Sequence, residues 1–206
     1  MEDVLDVYKL PYAPDMPVVC VDESCKQLLE DVRPPLPARP GDIARQDDEY
    51  VRHGVAEIFL AIEPLTGHCE VSVGERRGCR EWAEFVAGLL EGRYAKAGKV
   101  LFVMDNLNTH STASLYQCFP PEKARRLAAR MEIHYTPKHG SWLDVAEIGL
   151  SVLKSQCLNR RFPDIDSMKK EVKAWQDRHN AAPHPVKWHF SCEDARVKLL
   201  SVYPKF

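Results

Sequence analysis

Three acidic side chains break up apolar segments of this sequence. Asp22 follows "VVCV", Asp105 follows "LFVM", and Glu147 sits inside "WLDVAEIGL". An ionised carboxylate is costly to bury unless it is paired or bound to a metal. Acids at the carboxyl ends of neighbouring central strands point into one crevice, where open α/β sheets place their ligands. A third acid, from a helix packed on the sheet, completes such a group. Clustered carboxylates repel one another, and divalent cations remove the repulsion. Oxygen donors without thiolate or grouped imidazole favour magnesium, with manganese as a substitute. Two such ions about 3.5–4 Å apart serve in-line phosphoryl transfer. Each acid also has a plainer reading, because a strand-end aspartate often forms a turn and a helical glutamate often faces water. Glu23 competes with Asp22 for the ligand role. Strand alternation puts Val18, Cys20 and Asp22 on one face and Glu23 on the other, so only one of the pair faces the ions.

The elements that must position these acids are legible as pattern. "MPVVCVDES" reads as a central strand, apolar on both faces. The proline-rich, charged stretch "VRPPLPARPGDIARQDDEY" reads as a surface excursion. "VAEIFLAIEPLTGHCEVSVGE" reads as a hairpin about "PLTG". Apolar residues at 82, 85, 86, 89 and 90 give "CREWAEFVAGLLEGRYA" a helical spacing. "KVLFVMDN" is a second central strand, "PPEKARRLAARM" a helix opened by proline, and "EIHYTP" a short strand stopped by Pro137. "SWLDVAEIGLSVLKSQCL" reads as one helix, with Ser141 as N-cap and Asp144 at the third position of a capping box. "IDSMKKEVKAWQDRHNAA" and "SCEDARVKLLSVY" add two amphipathic helices. This order predicts an α/β fold: a mixed sheet of about five strands flanked by helices, with extra C-terminal helices. Residues 17–206 form the expected domain, and 1–16 a lead segment.

At 45% hydrophobic and 28% charged, the 206 residues have the composition of a globular domain able to bury a core. No apolar run approaches the roughly 18 residues of a membrane span, and the acidic start lacks a signal-peptide core, so a cytoplasmic location without membrane partners is expected. Seven cysteines without a CxxC pair read as reduced thiols and argue against zinc. Residues 1–120 carry an acidic excess and 121–206 a basic one. Such asymmetry suits a protein whose acids hold cations while its bases hold a polyanion, although solvated helix faces produce it too.

"VCVDES", "FVMDNLNTH" and "HYTPKHGSWLDVAEI" resemble the three catalytic motifs of the mariner-related DDE transposases of bacterial insertion sequences. The likeness runs from about residue 5 to residue 203 and includes "EPLTG", "ASLYQCFPPEKARRLA" and "LSVLKSQCL". It implies a ribonuclease H-like fold, two magnesium ions, and cutting and joining of DNA, with Asp22, Asp105 and Glu147 as catalytic and metal-binding residues. It also implies a bacterial, nucleoid-associated protein acting as a homodimer or larger assembly on transposon ends and target DNA. Two departures stand out. Between Asp105 and Glu147 lie 41 residues, more than is typical of mariner relatives. Asp144 stands where such relatives usually carry asparagine, and its added charge either strengthens metal binding or weakens catalysis by displacing an amide.

Candidate DNA contacts surround the motifs. Asn106 and Asn108 can orient Asp105 or a water, and His110 can reach a phosphate; a hydrogen-bonded turn is the alternative for all three. Lys138, His139 and a helix start are natural phosphate contacts. Trp142 either stacks on an unpaired base or anchors its helix in the core. Lys154, Arg125 and Arg126 add possible backbone contacts or are simply solvated. Only about 16 residues precede the first strand, too few for a helix-turn-helix, so the chain resembles the catalytic part of a larger protein, either truncated or made separately, with a separately encoded helix-turn-helix protein as a candidate partner. The rival readings are a structure-selective nuclease on the same fold and a catalytically inactive, DNA-binding remnant.

Overall fold

The computed structural model describes residues 1–138, 140–199 and 203. Five strands, β1 (Val18–Asp31), β2 (Tyr50–Glu63), β3 (His68–Gly74), β4 (Val100–Met104) and β5 (Met131–Tyr135), form one sheet in the order β3-β2-β1-β4-β5. β1 to β3 run antiparallel in sequence, whereas β4 and β5 lie parallel to β1. Parallel neighbours require long crossovers. Helix α2 (Cys79–Glu91) supplies the one between β3 and β4, and α3 (Thr112–Cys118) with α4 (Pro121–Ala128) supplies the next.

Strand alternation sorts the apolar residues into two cores. Val19, Val21, Phe59, Phe102 and Met104 meet α2, α3 and α4 on one face. Cys20, Leu60, Ile62, Leu101 and Val103 lie on the other face. They are covered there by α1 (Glu2–Tyr8), α5 (Val145–Leu153), α6 (Ile165–Ala181) and α7 (Cys192–Lys198). The mixed five-stranded sheet between helical layers is the architecture expected from the sequence.

Four details differ from expectation. β1 does not stop near Asp22; it continues to Asp31, paired with β2 in a long ribbon whose register slips between Gln27 and Leu29. The polar alternation of that ribbon hides it from a search for apolar runs. The lead segment 1–16 is no mere linker, since α1 buries Val4, Leu5 and Val7. Helix α3, too short to show a helical period, was absent from the pattern. The single helix expected over 141–158 is divided into a 3-10 turn (Ser141–Leu143), α5, and a π-helical turn (Lys154–Leu158). Its N-cap is Asp144 rather than Ser141, because the Asp144 side chain accepts the Ala146 amide at 2.8 Å.

Edge strand β3 is sealed by side-chain amides of α6. Asn180 accepts the Cys69 amide at 3.0 Å and donates to the Cys69 carbonyl at 2.8 Å. Gln176 accepts the Val71 amide at 2.8 Å. These groups replace the missing neighbour strand. Asn180→Ala leaves a backbone donor and acceptor unpaired, and a loss of about 2 kcal/mol is expected in a urea titration.

Candidate active site

Strand register brings the first two acids together. β1 and β4 pair in parallel from Val18↔Leu101 to Cys20↔Val103. Two residues farther along each chain stand Asp22, still within β1 and on the face of Cys20, and Asp105, the first residue past β4. Helix α5 packs on that face, against β1 and β2. Its approach depends on Gly149, where a Cβ would come within 2.8 Å of a Leu60 methyl. Leu60 is the β2 partner of Asp22, so the helix lies close over the Asp22 position. Glu147, two residues before Gly149, is exposed, and its charge is felt at Asp22. The start of α5 is pinned by Tyr8 of α1, whose hydroxyl donates to the Leu143 carbonyl at 2.7 Å and accepts the Val145 amide at 3.3 Å.

The acids feel one another. Burial pushes Asp22 up to about 6; the Glu23 amide bonded to it pulls the other way, and the charges of Glu23, Asp105 and Glu147 add to the rise. Asp144 is a fourth acid in the group. It is 2% exposed, and its Oδ2 has no partner among the described residues. Burial holds its carboxyl well above the usual range, against the Ala146 amide and with the charges of Asp22, Asp105 and Glu147 adding to the effect. The neighbouring Cys20 thiol is kept protonated by burial and by Asp144, which removes it as a soft ligand.

Among the described residues, no three His, Cys, Asp or Glu side chains close into a ready-made metal cage. The acids form an open group at one end of the sheet. Their chemistry fits a hard divalent cation: carboxylate oxygens under mutual repulsion, with an orphaned buried oxygen beside them.

His110 is not a phosphate contact. It is 1% exposed, stacked on Trp82 with ring centroids 5.7 Å apart. Its Nδ1 lies 2.6 Å from Asp105 Oδ1 and its Nε2 2.9 Å from Glu23 Oε2. The Glu23 contact lacks hydrogen-bond alignment and is a contact between charges. Burial works against protonation of His110, but the two carboxylates prevail and carry it up to about 9. Glu23 therefore points to the α2 face, and Asp22 is left facing α5, as strand alternation requires.

Asn106, Asn108, Lys138 and Lys154 are exposed. Trp142 is 46% exposed and edge-on to Phe190, so it is no core anchor. His139 lies outside the described residues. Arg125 and Arg126 belong to α4, on the opposite face of the sheet, and Arg126 pairs with Glu91 at 3.2 Å. Lys26 was missed, although its spacing of four from Asp22 puts both on one strand face. It shares with Lys154 a pocket of about 270 Å³. A larger pocket of about 650 Å³ lies between β3 and α2, lined by Phe59, Phe85 and Arg76, away from the acids.

A central mixed sheet, with acids on two adjacent parallel strands and on a covering helix, defines the ribonuclease H-like class. The chain belongs to the DDE superfamily endonucleases, whose family model matches residues 17–169. No curated protein sequence matches it. Among solved structures it is similar to the Mos1 mariner paired-end complex with Mn, at 18% identity and a TM-score of 0.55, over 85% of this chain and 52% of that one. It is also similar to the Mos1 strand transfer complex, at 19% identity and a TM-score of 0.53, over 82% of this chain and 48% of that one. At this identity the likeness concerns the fold, and the chain spans about half the length of those chains.

Replacing Asp144 by asparagine keeps the N-cap and removes the acid that resists ionising in its burial site. Because the folded-state pKa is raised, wild type binds the proton more tightly folded than unfolded. It loses stability as pH rises above the free value of 3.8. Asp144→Asn is therefore expected to be the more stable protein near neutrality, by about 1 kcal/mol, and to lose that advantage below pH ~4, in urea titrations across pH.

Proposed function

We propose that residues 17–206 are the catalytic domain of a DNA transposase, in which Asp22, Asp105 and Glu147 hold two magnesium or manganese ions. The observation that supports this reading is the parallel register of β1 and β4, with an aspartate two residues past the last pair on each strand and the charges of Asp105 and Glu147 felt at Asp22. The pair of cations, when bound, would activate an attacking oxygen and neutralise charge on the leaving oxygen of a phosphodiester. Asp22 and Asp105 would serve both ions, and Glu147 the second.

The chain's remaining side chains hold the strand. Lys26 and Lys154 flank the acids from β1 and from the end of α5, and neither has an ion-pair partner among the described residues. Burial lowers the Lys26 pKa, and the charge of Lys154 adds to the effect. A phosphate of the bound strand would bring them the missing charge. Lys138, Trp142, Asn106 and Asn108 lie exposed around the same end of the sheet and would contact backbone or an unpaired base. The Mos1 structures are a paired-end complex and a strand transfer complex. By analogy, this chain would act as a dimer on two DNA ends and join a freed 3′ hydroxyl to target DNA. A separate helix-turn-helix protein would supply end recognition, and the reaction would take place in the bacterial cytoplasm.

The test is nicking of a supercoiled plasmid with magnesium or manganese. Asp105→Asn is expected to lower the rate roughly 100-fold or more, a few kcal/mol of lost charge stabilisation. Equal nicking by both proteins would remove the assigned site. A precut end offered with target DNA then separates a transposase from a nuclease, because only the former yields joined product.

A further inference from the structure

We infer that His110 is a positioning residue: it fixes the carboxylate of Asp105 for metal binding and ties Glu23 off, so that Asp22 alone of the adjacent acids serves the site. The inference rests on the metal-site reading above.

The loop after β4 folds back on itself to place the imidazole. Leu107 donates its amide to Asp105 Oδ1 at 3.3 Å, and the His110 amide reaches the Leu107 carbonyl at 2.9 Å. The ring then sits between the ends of two catalytic strands, with Asp105 on one nitrogen and Glu23 of β1 on the other. Trp82 of α2 supports its face, and the Tyr135 hydroxyl of β5 donates to its carbonyl at 2.6 Å. Three side-chain contacts and one bond to the backbone thus hold this residue. Its Nδ1 lies 2.6 Å from Asp105 Oδ1 as an ion contact and 3.4 Å from the Asp105 carbonyl, so it meets both the side chain and the backbone of that residue. Groups that orient a ligating carboxylate typically govern metal affinity by 10–100-fold.

Two amide replacements separate the ring's two contacts. An asparagine at 110 places its amide nitrogen near the position of Nδ1, and a glutamine places its own near Nε2. Both remove the stack on Trp82. Manganese affinity is read by paramagnetic resonance on the full chain without DNA, alongside the melting temperature, with Asp105→Asn as reference. His110→Gln is expected to weaken manganese binding ~10-fold or more, while His110→Asn stays within a few-fold of wild type. Equal affinities for the two variants would overturn the inference, since a purely supporting ring predicts no difference between them. If both fail to fold, Glu23→Leu with His110→Phe keeps an aromatic ring on Trp82 and leaves no lone buried carboxylate. That double variant should also lose ~10-fold in affinity, and wild-type affinity would contradict the proposal. If wild type itself shows no manganese binding that Asp105→Asn abolishes, the metal-site reading falls, and the role of His110 with it.

Discussion

Like charges forced together by strand register are what the rest of the molecule is built around. Parallel pairing of β1 with β4 fixes which residues stand abreast, and two residues past its last pair, Cys20 with Val103, each chain carries an aspartate, Asp22 and Asp105. A one-residue slip would turn one of them to the opposite face. Both cores guard against that slip, because Val19, Val21, Phe102 and Met104 must meet α2 and α4 while Cys20 and Val103 meet α5. Apolar packing thus holds two carboxylates at a separation they would not choose. Burial raises the Asp22 pKa, and the charges of Glu23, Asp105 and Glu147 add to the rise.

Around this strained end the fold sorts its charges with care. Glu23, one residue from Asp22, is turned to the far side and neutralised by His110. Asp144 is buried at the start of α5 and is driven toward its neutral form. Glu147 is exposed and Asp22 and Asp105 are half-buried, while Lys26 and Lys154 line one pocket and have no ion-pair partner among the described residues. Acids gathered at one point and cations along the approach suit a site that binds metal and then a phosphate backbone. Gly149 lets α5 lie close on the sheet and Tyr8 anchors its start, so packing sets where that helix carries Glu147.

Much of this was legible in the sequence. The three acids stood out because each interrupted an apolar run, and alternation alone separated Asp22 from Glu23. The mixed sheet followed from the order of apolar and amphipathic segments. The rest failed for identifiable reasons. β1 beyond Asp22 is a ribbon whose stability comes from pairing with β2, so its half-exposed residues carry no apolar signature. Helices α1 and α3 are shorter than two full turns of pattern. Ser141 resembled an N-cap locally, but a 3-10 turn delays the helix to Asp144. His110 is the instructive miss. A histidine in a polar loop after a strand-end acid reads as a phosphate contact. Its burial depends on Trp82 and Glu23, distant in sequence, which no local spacing reveals.

The most direct measurement is anomalous diffraction from crystals soaked in manganese. The expected result is two peaks about 3.5–4 Å apart, bounded by the carboxylates of Asp22, Asp105 and Glu147. Peaks confined to other acidic surfaces, or a single ion that Glu147 and Asp22 do not share with Asp105, would contradict it.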